Sequence, residues 1–95
     1  MLPEDKLDAI LARHDELSAH LNEAADPALI VRLSKEVAAL ADLVPKIRAW
    51  RAFDADECDL IELAADPEMR AMAEADLADL RAGHAALEQE LRIAL

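Results

Sequence analysis

Ala64-Ala65-Asp66-Pro67-Glu68-Met69-Arg70-Ala71-Met72-Ala73 reads as the start of a helix, and the fold follows from it in both directions. An Asp ahead of the first turn accepts hydrogen bonds from N–H groups that have no partner within the helix. A Pro just inside loses nothing, because its missing donor would have been idle there. Glu68 adds negative charge at the positive end of the helix dipole. Behind this start, Met69, Ala73, Leu77, Leu80, His84, Leu87, Leu91 and Ala94 recur at spacings of three and four, one apolar stripe of a helix expected from Pro67 to the end. Gly83 falls within it, at about 1 kcal/mol against Ala, and marks either a close helix approach or nothing.

Asp26-Pro27 is a second start of the same chemistry. Ahead of it, a first helix is expected from near Pro3 to near residue 25, with Leu7, Ile10, His14, Leu17, Leu21 and Ala24 on one stripe. After it come Ile30, Leu33, Val37, Leu40, Val44 and Ile47, and the stripe then slides to Trp50, Phe53, Leu60 and Leu63. The slide coincides with Pro45, which removes a backbone bond and crowds the preceding turn, so the second helix is expected to be kinked or split there. Unbroken from Pro27 to Ala64 it would be roughly 57 Å long, and the third helix, at roughly 42 Å, suits it as an antiparallel partner. Asp54-Ala55-Asp56-Glu57 is its weakest part, acidic and poor in core residues. Ala-Ala-Asp-Pro occurs at 24–27 and 64–67, but the flanks do not align and two units fall short of a solenoid; shared capping chemistry explains the coincidence.

The expected fold class is therefore all-α, an antiparallel bundle of three long helices, in a single domain over residues 1–95. Ile10, Leu17, Leu21, Leu33, Leu40, Ile47, Leu77, Leu80, Leu87 and Leu91 are the expected core. Composition agrees, with 95 residues rich in Ala and Leu, one Gly, no Tyr, one Trp and one Phe. No apolar run approaches the ~20 residues of a membrane span, and the first residues lack the basic and apolar regions of a secretion signal, so a cytoplasmic protein is expected.

The formal net charge of −11 argues against general or sequence-specific nucleic-acid binding, because phosphate contacts need Lys and Arg. Charge is uneven, however. Arg32, Lys35, Lys46, Arg48 and Arg51 face only Glu36 and Asp42 between positions 32 and 51, a local +3 against −14 elsewhere. An ordinary solvated helix face accounts for such a run.

Catalytic chemistry finds little to stand on. The residues three before His14, His20 and His84 are Leu11, Leu17 and Arg81, so the Glu-x-x-His pattern of a bundle dimetal site is absent. Glu16/His20 and His84/Glu88 are one-turn pairs of a kind common on helices. His14 and His84 read as histidines at the edge of the core. Cys58, the single cysteine, lies among Asp56, Glu57 and Asp59, the wrong setting for a nucleophilic thiolate, and it excludes an internal disulfide. With no Gly-rich phosphate loop and no nucleophile triad, no enzyme, no metal and no cofactor are expected. Met69, Met72, Trp50 and Phe53 are either ordinary core or an adaptable protein-binding surface.

The string Asp66-Pro67-Glu68-Met69-Arg70-x-Met72-Ala73, running into Leu77, Leu80, Leu87, Glu88 and Leu91, resembles the N-terminal domain of bacterial peptide chain release factor 1, a class-I translation release factor. The resemblance extends over most of the chain, through Leu33-Ser34-Lys35-Glu36-Val37 and Leu43-Val44-Pro45, but only the last block is specific. The Asp-Val-Trp-Asn-like string usual in the sister factor is missing, which favours factor 1. The resemblance implies an arm that contacts the ribosome near the stalk-base protein of the large subunit, with a bearing on factor recycling and on recognition by the release-factor glutamine methyltransferase. Codon reading and Gly-Gly-Gln-triggered release reside in later domains of that family, and neither motif occurs here, so an excised N-terminal arm is expected. Asp26, Pro27, Asp66 and Pro67 are the structural caps, and Glu68 and Arg70 the candidate contact residues. The alternative is a free-standing helical adaptor or coiled-coil module, whose stripes and small core would look the same.

Overall fold

The structure, a computed structural model, describes residues 2–95 and is built from helices; among the described residues there is no strand. Five helical segments follow one another: α1 (Glu4–Glu23), α2 (Pro27–Ala41), α3 (Leu43–Arg51), α4 (Phe53–Ala64) and α5 (Arg70–Ala94). The chain divides into two compact units, one running to Ile47 and including Leu95, the other Arg48–Ala94.

In the first unit, α1 packs on α2. Pro3 caps α1 through its carbonyl, which accepts from the N–H groups of Lys6 (3.1 Å) and Leu7 (3.2 Å). The helix stops where Ala24 turns to extended geometry, at φ −70° and ψ 136°. Asp26, also extended, then caps α2 by accepting from the Ala28 N–H at 3.2 Å, with Pro27 in the first turn. Leu2, Leu7, Leu17, Leu33, Val44 and Ile47 are the buried apolar residues of this unit. Each such side chain removed from water contributes about 1.5–3 kcal/mol.

The expected interruption is present, three residues ahead of the proline. Pro45 has no N–H to offer the Ala41 carbonyl, and the regular helix ends at Ala41 and resumes at Leu43. Asp42 between them keeps right-handed helical angles, φ −64° and ψ −32°, so the backbone bends without leaving helical space. Pro45 thus falls in the first turn of α3, where a donor is not needed.

In the second unit, α4 packs on α5. Two expectations need correction here. The helix expected to run past Phe53 is interrupted again at Ala52, whose angles relax to φ −78° and ψ −8°; the ladder still spans the site, with Ala52 N–H to Arg48 O and Asp56 N–H to Ala52 O both at 3.0 Å. The third long helix starts at Arg70 rather than at Pro67. Asp66 holds the intervening residues in a turn: its side chain accepts from the Glu68 N–H at 3.0 Å and its carbonyl from the Met69 N–H, also at 3.0 Å. Five segments therefore stand where three long helices, the second kinked or split at Pro45, were expected. α5 buries Ala73, Leu77 and Leu91. Of the expected core, Ile10, Leu21, Leu40, Leu80 and Leu87 are only half-buried.

Candidate interaction surface

The sequence-derived candidates cluster at the α4–α5 turn, and the structure gives most of them local work. Asp66 and Pro67 make the turn just described, as Asp26 and Pro27 make the entry to α2. Glu68 is exposed, and its backbone N–H is the group that Asp66 captures. Arg70 reaches back across the turn, its Nε donating to the carbonyl oxygen of Ala64 at 3.0 Å. A carbonyl in the last turn of a helix lacks an internal partner, so a guanidinium there satisfies it and complements the negative end of the dipole. Of these contacts, that of Arg70 alone runs from α5 back to α4.

Farther from the turn, the two helices are registered by an ion pair, Arg81 Nε to Glu57 Oε2 at 2.9 Å. That register sets His84 on α5 against Phe53 at the head of α4, with ring centroids 3.8 Å apart and planes 24° from parallel. Trp50 stacks on the same imidazole at 6.0 Å and 12°. Both Trp50 Nε1 and His84 Nδ1 are buried without a hydrogen-bond partner, so the cluster is held by ring packing and not by polar contacts.

Phe53 and His84 also line an open groove between α4 and α5, about 690 Å³ in volume. Half-buried Phe53, Leu60, Leu80, His84 and Leu87 form its apolar floor, and exposed Asp56, Asp59, Asp76 and Asp79 stand along it. Gly83 also lines the groove, and a Cβ placed there meets nothing within 4 Å. The first unit has a groove of its own, about 580 Å³, but its charges are mixed, with Arg13 lying 3.5 Å from Glu16 and 3.8 Å from Glu36.

The groove was only partly visible in the sequence. Trp50, Phe53 and His84 stood out singly, and Asp-x-x-Asp occurs at 56–59 and again at 76–79, a repeated spacing that could have flagged the rim. Among the described residues, no group of three or more His, Cys, Asp and Glu side chains is disposed to hold a metal ion, and no helix is long and apolar enough to cross a membrane.

Comparison with known proteins identifies the fold's lineage. The family model of the PCRF domain matches residues 10–95. The chain belongs to the PCRF domain family. Peptide chain release factor 1 of Paracoccus denitrificans is 42% identical over 95 residues, all of this chain and 27% of that protein. The namesake protein of Gluconacetobacter diazotrophicus is 42% identical over 92 residues (97% of this chain, 26% of the relative), and that of a Jannaschia species 39% over 94 residues (99% and 27%). This PCRF domain thus spans about a quarter of the length of the curated relatives it matches. The resemblance to the N-terminal domain of release factor 1, carried in the sequence by the Asp66–Ala73 string, holds across the whole chain. No solved structure matches it.

Proposed function

We propose that this PCRF domain is the N-terminal, ribosome-contacting arm of a translation termination factor that directs release of the nascent peptide at stop codons. The observation that carries the reading is the alignment of the entire chain with release factor 1 sequences at 42% identity. The arm has no chemistry of its own: codon reading and hydrolysis belong to the remaining three quarters of such a factor. It acts in the cytoplasm, against the ribosome, with the stalk-base protein of the large subunit as its contact and the release-factor glutamine methyltransferase as a second partner. Charge supports a protein contact over bare RNA, since the segment from Arg48 to Ala94 holds twelve acids against five bases.

The reading frame beyond Leu95 supplies the first test, because a termination factor continues into a Gly-Gly-Gln motif. Peptide release from stop-codon-programmed ribosomes supplies the second. Neutralising the surface acids of the arm in the full factor is expected to weaken ribosome binding while leaving the release step intact at saturation; unchanged affinity would remove the charge argument.

A further inference from the structure

We propose that the α4/α5 groove is a docking site for a basic, amphipathic helical segment of a partner protein. Three independent features of the groove point to that occupant.

Its shape is that of a missing helix. The lining runs from Ala49 to Leu60 on one wall and from Asp76 to Leu87 on the other, about 16 Å, or three turns. The apolar floor offers what the anchor residues of a helix laid into a groove require, at i, i+3, i+4 and i+7.

Its charge selects the partner. Asp56 and Asp59 lie one turn apart on α4, and Asp76 and Asp79 one turn apart on α5. Arg81, the cation that could compensate them from α5, is engaged by Glu57 at 2.9 Å. Four exposed carboxylates flanking an apolar floor repel nucleic acid and an acidic helix alike, and accept Lys and Arg on the shoulders of an apolar one.

Its wall is opened by Gly83. A glycine in mid-helix destabilises that helix, and no neighbour in this chain uses the space it leaves, since a Cβ would meet nothing within 4 Å. A cost with no internal return is explained by an external one: the missing side chain lets the backbone of a docked helix come close.

The groove argument does not depend on the ribosomal reading, and its test uses no ribosome. The probe is a synthetic peptide of about 14 residues with leucines at i, i+3, i+4 and i+7 and lysines on either side of that stripe; a scrambled peptide of identical composition is the control. Binding is read by calorimetry and by emission from Trp50, the single tryptophan, which stacks on His84. Saturable binding that falls at least tenfold with the scrambled peptide is expected, and that weakens as salt is raised. Replacing the four rim aspartates with asparagine should weaken it about tenfold. Gly83→Leu should abolish it with the helical circular dichroism retained. Gly83→Ala, which is expected to raise the melting temperature, should weaken it severalfold and keeps the test decisive should the larger residue disturb the fold. Equal binding of the scrambled peptide, or affinity indifferent to these substitutions, would overturn the proposal. So would sedimentation showing a dimer that Gly83→Leu dissolves, because the groove would then seat a second copy of this chain.

Discussion

The guanidinium of Arg70 and the carbonyl of Ala64 are joined across the α4–α5 turn, Nε to oxygen at 3.0 Å, so a residue that looked available for a partner is already part of the hairpin. Arg70→Ala is expected to lower stability by about 0.5–1.5 kcal/mol, the net value of one hydrogen bond in the folded state. Arg70→Lys should recover little of it, because an ammonium does not reproduce the fixed Nε donor. Urea denaturation of the three proteins decides between them. A fall in partner binding larger than the loss of folded protein would give Arg70 a second, external task.

Asp26 and Asp66 make the same contact at two different places, Oδ1 to the N–H two residues on, at 3.2 and 3.0 Å. Each Asp→Ala change is expected to cost about 1 kcal/mol, and each Asp→Asn substantially less, since the amide oxygen still accepts. The two sites lie in different units and share no partner, so the double variant should be additive within ~0.5 kcal/mol in thermal melting.

His84 contributes as a ring, not as a base. It stacks on Phe53 and Trp50 while its Nδ1 is buried without a partner. His84→Phe keeps the stack and removes the orphaned polar atom, so it is expected to be neutral or stabilising; His84→Ala removes the stack and should fall below His84→Phe by at least ~1 kcal/mol. Equal stability of the two variants by chemical denaturation would contradict that account.

Burial separates two apolar residues of the same helix. Leu77 is 7% exposed and Ile93 77% exposed. Leu77→Ala should cost about 2–5 kcal/mol, and Ile93→Ala no more than about 0.5 kcal/mol, in matched denaturant titrations.

Gly83→Ala should raise stability by about 1 kcal/mol, because the new methyl meets no atom and the unfolded chain loses freedom. A destabilised variant would show that the helix is crowded at that point.

Residue spacing made the apolar stripes legible, and with them the all-helical fold and an interruption near Pro45. The break at Ala52 was marked only by the weak acidic stretch Asp54-Ala55-Asp56-Glu57 that follows it, since Ala itself is the best helix former. The late start of α5 was hidden by an ambiguity in Asp itself: an Asp ahead of a Pro caps a helix directly or holds a short turn before it, and Asp66 does the latter. Leu2 went unread because it precedes the first stripe. The groove was harder still. Phe53 and His84 lie far apart in the chain, and their meeting depends on the register that the Glu57–Arg81 pair reports, which spacing within either helix does not encode.

Among the described residues, α1 packs on α2 and α4 on α5, neighbours in the chain joined by connections of three and five residues. Low contact order of this kind means that little loop entropy is lost before packing begins, and folding of such hairpins falls in the microsecond-to-millisecond range. Ribosomes add about 5–20 residues per second. The α1/α2 hairpin is therefore expected to begin packing while the rest of the chain is still being synthesised.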